Sequence, residues 1–313
     1  MDILNKMKKI PGGLLIIPML LAAVINTICP QILQIGNPTT ALFTNKGTMV
    51  LLGLMLFFSG TQCKVSQIKT MIKRSGTLCL VKIIIAYGVG IFINKYFGEE
   101  GFWGISVVTI IAVVTSCNPG LYLALVDSYG DEVDASAFGI LNLIVVPAVP
   151  ITILSSTSGQ GIDFNTIIAT LFPFILGILL GNLDGNFRKL YSSGTAILLP
   201  FMGISFGVNI NIIVALRAGI SGIISTILFY IICLIPLLII DKKVMKRPGY
   251  AATAMSSVAG LSLVVPTLAA ELNPVYEKFI QVSIAQIAFV VILTTIITPI
   301  ITQKIIMSNK INE

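Results

Sequence analysis

Two apolar stretches of this chain carry polar and helix-breaking residues where an uninterrupted helix would not tolerate them. The first holds Ser116-Cys117-Asn118-Pro119-Gly120; the second holds Ser256, Ser257, Ala259, Gly260, Ser262 and Pro266. Proline removes a backbone donor and clashes with the turn before it, and glycine lowers the cost of unusual backbone angles. Asparagine followed by proline is a favoured helix start. The pattern predicts that one helix stops and another begins at Asn118, with a matching break near Gly260. A helix N-terminus offers free N–H groups and roughly +0.5 of a charge. Two such ends meeting would suit an anion such as a carboxylate. The hydroxyls of Ser116, Ser256, Ser257 and Ser262, and the amides of Asn118 and Asn142, could then bind the hydroxyls of a sugar-like solute. The simpler readings are a proline kink in the first stretch and close helix packing by small residues in the second.

Lys82 is the other chemical candidate. It lies seven residues into an apolar run and shares a face with Cys79, Ala86 and Gly90, whose small size points that face at protein. A charge within an apolar span is a functional candidate, here for coupling solute movement to a proton; the alternative is that its long stem carries the ammonium to the membrane surface.

Composition narrows what these residues can serve. Of 313 residues, 56% are hydrophobic and 11% charged, against roughly 45–50% and 25% in soluble domains. Mean hydropathy is +0.98. Too few charges are present to build a water-facing surface, so the class is an all-α membrane protein. Histidine is absent, and the five cysteines at 29, 63, 79, 117 and 233 form no CxxC pair. That opposes a metal site or a disulfide framework, and no metal or other cofactor is expected. Without histidine or paired intramembrane carboxylates, a membrane-embedded enzyme is poorly supported. No GxxxxGK[ST] motif implies ATP drive. The formal charge of +7 would suggest nucleic acid in a soluble protein. Here the basic residues fall in loops beside a lipid bilayer, so no nucleic-acid partner is expected.

A helix needs about 20 apolar residues to cross the ~30 Å hydrocarbon core. Candidates lie at 12–29, 46–63, 75–94, 102–126, 135–155, 164–182, 194–210, 218–240, 249–271 and 279–303. Lys6, Lys8 and Lys9 before the first resemble a signal peptide, but no clear cleavage site follows, and the segment reads as the first span. With ten spans and a cytoplasmic N-terminus, fifteen of the twenty Lys and Arg face inside, four face outside, and Lys82 lies within a span. The positive-inside rule then places both termini in the cytoplasm.

The halves 1–157 and 158–313 echo each other. Phe58-Ser59-Gly60-Thr61 resembles Ser205-Phe206-Gly207-Val208, Ser116 to Leu121 resembles Ser256 to Leu261, and Pro18 and Pro173 take similar places. Five spans each, an odd number, would insert the second half upside down. Inverted repeats with broken helices are an architecture of secondary transporters. The expected fold is thus ten transmembrane helices in two inverted five-helix repeats, with helices four and nine broken and crossing.

At these residues the chain resembles the 2-keto-3-deoxygluconate permease family, within the larger bile-acid, arsenite and riboflavin transporter group. The resemblance rests on Lys9-Ile10-Pro11-Gly12-Gly13, Ser75-Gly76-Thr77-Leu78 with Lys82-Ile83, Asn118-Pro119-Gly120-Leu121-Tyr122, Leu180-Gly181-Asn182-Leu183-Asp184, and Ile235-Pro236-Leu237 with Asp241-Lys242. It implies a panel domain of spans one, two, six and seven and a core domain of the rest. It also implies proton-coupled uptake of 2-keto-3-deoxygluconate, or a similar small anionic sugar acid, across a bacterial cytoplasmic membrane. Family members are expected to carry acids beside the span-four break and in span five. The corresponding Val114-Thr115-Ser116-Cys117 and Asn142-Leu143-Ile144 carry none, and no acid lies between Ala251 and Ala270, where a sodium ligand is expected. A sodium-coupled or uncoupled carrier of another organic anion therefore stays open, as does a homo-oligomer.

Overall fold

The computed structural model describes residues 2–9, 13–43, 45–67, 69, 72–131, 134, 137, 141, 147–158, 164–208, 211–213 and 218–312. It is all-helical, with no β-strand among the described residues. Five helical stretches are long and apolar enough to cross a membrane: Ile72–Phe97, Val107–Val126, Gly219–Val244, Tyr250–Leu272 and Pro274–Ser308. Five shorter apolar helices accompany them: Gly13–Ile28, Met49–Gln62, Ala148–Thr157, Leu171–Leu183 and Gly194–Gly207. Within the stretch expected as a span over 135–155, a helix runs from Ala148 to Thr157, and Asn142 lies outside the described residues.

The helices pack in two groups. In one, Gly13–Ile28 lies against Gly194–Gly207, and Asn45–Gln62 against Phe164–Leu183. Apolar helices gain little from burial when lipid is their solvent, so close backbone approach must hold them together. Glycine permits it. A Cβ on Gly203 or Gly207 would fall 2.3 and 2.2 Å from the carbonyl oxygens of Leu15 and Met19, and one on Gly60 or Gly177 would fall 2.2 Å from those of Phe174 and Phe57.

The other group surrounds the two broken helices. Val107–Val126 and Tyr250–Leu272 are 78% and 89% buried, against 33% for both Ile72–Phe97 and Gly219–Val244. Gly219–Val244 is loosened by two π-helical turns, Tyr230–Leu234 and Ile240–Val244. The first precedes Pro236, which cannot donate to the turn behind it. The second carries Asp241, which is fully buried.

Polar side chains tie together segments far apart in the sequence. Arg74, Asp131, Asp134 and Arg247 join one another, and Asn182 donates to the Cys63 carbonyl oxygen at 2.8 Å. Elsewhere Lys278 pairs with Glu100, and Ile212 donates its backbone N–H to Thr27 Oγ1 at 3.0 Å.

Candidate functional site

Helix Val107–Thr115 stops before Ser116, and a new helix, Pro119–Tyr129, starts behind Asn118. Asn118 caps it: Oδ1 accepts the Leu121 N–H at 3.1 Å, and Pro119 occupies the first helical position. In the second stretch, helix Tyr250–Met255 stops before Ser256, and the chain resumes as a 3-10 turn over Gly260–Val264 that leads into Val265–Leu272.

The two breaks are bonded to each other. Ser116 Oγ accepts the Ala259 N–H at 2.8 Å, and Ser257 Oγ accepts the Asn118 N–H at 3.2 Å. Each bond is the other shifted by 141 positions. Ser262 Oγ adds a bond to Ser116 Oγ at 2.6 Å. Freed backbone groups inside an apolar bundle must find partners, and here serines from the opposite break supply them. The helix Ile280–Asn312 supplies others. Thr294 Oγ1 accepts the Val258 N–H at 3.1 Å, and Thr298 Oγ1 donates to the Ser256 carbonyl at 2.7 Å. These threonines were missed in the sequence. Their signal was a hydroxyl spacing of four within an apolar helix.

Ser116, Asn118, Ser256, Ser257, Gly260 and Ser262 therefore come together. The serine hydroxyls are engaged within the breaks: Ser256 Oγ donates to the Ala252 carbonyl at 2.8 Å and Ser257 Oγ to the Ala254 carbonyl at 3.1 Å. Asn118 is half-buried and Gly120 exposed. A Cβ on Gly120 would meet only Asn118 Oδ1, at 3.5 Å. Gly260 is buried, and a Cβ there would fall 2.7 Å from Leu15 Cδ2 of the other helix group.

Lys82 is 2% exposed. Its Nζ donates to the Met255 carbonyl at 2.9 Å and stands 5.1 Å from the centre of the Phe229 ring. Met255 ends the half-helix before the break, so the ammonium holds a carbonyl that has lost its helical partner. The lysine lies inside the bundle and ties three helices.

A second charged cluster lies at the other end of the same half-helix. Asp241 Oδ2 accepts the Ala252 N–H at 3.3 Å. Arg247 Nη2 pairs with Asp134 Oδ2, and the Tyr250 hydroxyl donates to that same oxygen at 2.6 Å. Burial works against the Arg247 charge, but the Tyr250 bond and the two carboxylates outweigh it and raise its pKa. Asp134 carries little signal in the sequence, because acids count little in the charge rule for loops.

A bundle whose most buried helices are broken and bonded across their breaks is the build of a multi-pass membrane transporter. The comparisons make this specific. Residues 4–311 match the 2-keto-3-deoxygluconate permease family, and the chain belongs to that family. It is 35% identical over 302 residues to 2-keto-3-deoxygluconate permease 1 of Salmonella typhimurium, covering 96% of this chain and 95% of the relative. It is 33% identical over 308 residues to the 2-keto-3-deoxygluconate permease of Enterobacter sp., covering 96% and 92%. The permease of that name from Tolumonas auensis is 32% identical over 308 residues, covering 96% and 91%. The chain is a transporter rather than an enzyme.

Proposed function

We propose that this chain takes up 2-keto-3-deoxygluconate, or a similar small sugar acid, by proton symport across a bacterial cytoplasmic membrane. Family membership over nearly the whole chain carries this reading. The substrate meets the crossed breaks: Ser116, Asn118, Gly120, Ser256, Ser257, Gly260 and Ser262 form its surroundings, with Asn142 from the neighbouring span. Its carboxylate lies against the half-helix starting at Pro119, where Gly120 leaves open space. Lys82 is the coupling residue, since it grips the carbonyl that ends the other half-helix.

The layout is ten spans in two inverted repeats, 1–157 and 158–313, with both termini cytoplasmic. Three observations support it. The Ser116–Ala259 and Ser257–Asn118 bonds are reciprocal. Gly60 rests on the carbonyl just after Pro173, and Gly207 on the carbonyl just after Pro18. The ties among Arg74, Asp131, Asp134 and Arg247 and the pair of Lys278 with Glu100 each join loops that the charge rule places on one side.

Uptake by proteoliposomes under imposed proton or sodium gradients tests the reading. Accumulation of 2-keto-3-deoxygluconate is expected with the proton gradient. Accumulation with sodium alone would replace the coupling ion, and exchange without accumulation would make the protein an uncoupled carrier. Lys82→Gln is expected to keep exchange and lose proton-driven accumulation. Unchanged accumulation in that variant leaves Lys82 a structural residue.

A further inference from the structure

The half-helix Tyr250–Met255 is held at its far end by Lys82 and at its near end by a buried charged cluster. Asp134 and Asp241 are both fully buried. The buried cation between them is Arg247, whose side chain is 12% exposed. Its Nη2 pairs with Asp134, and its Nε stands 3.8 Å from Asp241 Oδ1. Asp241 has this guanidinium as its buried cation, 3.8 Å away, and its full burial disfavours the charge that a proton would remove. Among the described residues, Asp241 Oδ1 has no hydrogen-bond partner, so it is a place for that proton.

Asp134 meets the Tyr250 hydroxyl and Arg74 Nη1, the latter at 3.6 Å, and its backbone N–H donates to Asp131 Oδ1. Asp241 feels Lys242 and Asp134 and accepts from Ala252. Arg74 is 36% exposed and shared with the exposed Asp131. A cavity of about 500 Å³ lined by Lys73, Arg74, Asp131, Met245, Arg247 and Tyr250 lies against the cluster at Arg247. The π-helical turn that carries Asp241 aims its carboxylate at the first turn of the half-helix.

We propose that Asp241, beside Arg247, is a proton-binding site facing the cytoplasm, and that loading it releases the half-helix Tyr250–Met255 and loosens the second break. Only the sidedness rests on the topology proposed above. The proton comes from cytoplasmic water and binds a carboxylate oxygen. A protonated Asp241 is a weaker acceptor for the Ala252 N–H, and the hold on the helix is lost as pH falls. Internal acidity would then reduce the order of Ser256 and Ser257, and with it solute affinity.

Hydrogen–deuterium exchange on the purified full chain without substrate tests this, with rates corrected for intrinsic pH dependence. Between neutral and mildly acidic conditions, amides 252–257 of the wild type are expected to lose protection about tenfold, the effect of weakening a hydrogen bond to a charged group. Asp241→Asn is expected to show the low protection at both conditions. Equal protection of the wild type at both, or a wild-type pH response in Asp241→Asn, overturns the proposal. If Asp241→Asn does not fold, Lys242→Gln decides. Removing that exposed cation near Asp241 favours proton binding and moves the response to higher pH; an unmoved response overturns the proposal. No substrate enters the measurement, so its failure leaves the transport reading standing, and failure of gradient-driven uptake leaves this result valid.

Discussion

The two helix groups are held by opposite devices. Around Gly60, Gly177, Gly203 and Gly207, backbone lies directly on backbone, and no room remains for a methyl group. Around the breaks, the contacts are three hydroxyls and one ammonium on freed backbone groups: Ser116 on Ala259, Ser257 on Asn118, Thr298 on Ser256 and Lys82 on Met255. A glycine seam has one packing and fails as a unit. A side-chain hydrogen bond is worth about 1 kcal/mol net and can be exchanged for one to a solute. The glycine-seamed group suits a fixed platform, and the hydroxyl-bonded group suits the part that rearranges.

The largest effects should therefore come from the seam. Gly60→Ala and Gly207→Ala each drive a methyl against a backbone carbonyl that cannot rotate away. Each is expected to cost about 3 kcal/mol or more. Thermal unfolding in detergent would show it, together with loss of folded yield. A variant as stable as wild type would break the comparison, because the helices would then have a second way to pack.

Ser116→Ala should cost less. It leaves the Ala259 N–H without its acceptor and removes the partner of Ser262. A buried donor left unpaired costs about 1–3 kcal/mol. The same unfolding assay should place this variant between wild type and the seam variants. Ser257→Ala removes the reciprocal bond to Asn118 and should fall close to Ser116→Ala, which sharpens the symmetry as well as the comparison. Widely unequal losses would count against a shared two-fold design.

Much of the broken-helix plan was legible because it is written in local chemistry. Asn118-Pro119 states a helix start in two adjacent residues, and the cap formed as that pair dictates. The small residues around Gly260 marked the second break, but the chain leaves the helix earlier, at Ser256. The pairing register of the breaks was off by one: matching Gly120 to Gly260 gives an offset of 140, whereas the reciprocal bonds follow 141. Identity of residue type guided the first, while reach of a hydroxyl to an N–H sets the second. The cluster of Asp134, Arg247 and Asp241 was invisible, since its members lie more than a hundred positions apart along the chain in part and join only through folding. Spacing within one helix is readable from a sequence; pairing between a loop and two helix ends is not.

The smallest stability change and the most specific functional one should coincide at Gly120. The residue is exposed in the first turn of helix Pro119–Tyr129, and a Cβ would touch nothing closer than Asn118 Oδ1 at 3.5 Å. Alanine is a better helix former than glycine, so Gly120→Ala should leave stability unchanged or raise it by less than about 1 kcal/mol. If the substrate carboxylate lies against this turn, the added methyl occupies space the ligand needs, and affinity should fall about tenfold or more. Gly260→Ala makes the contrast. Its methyl meets the end of the Leu15 side chain, so that variant should disturb the contact between the two helix groups and lower stability as well as affinity. A thermal-shift titration with 2-keto-3-deoxygluconate on both variants reads stability and affinity together, because a ligand of the folded state raises the melting temperature by mass action. Wild-type affinity in Gly120→Ala would move the carboxylate site away from the first break, and the open space beside Gly120 would then have to serve the passage of the solute rather than its binding.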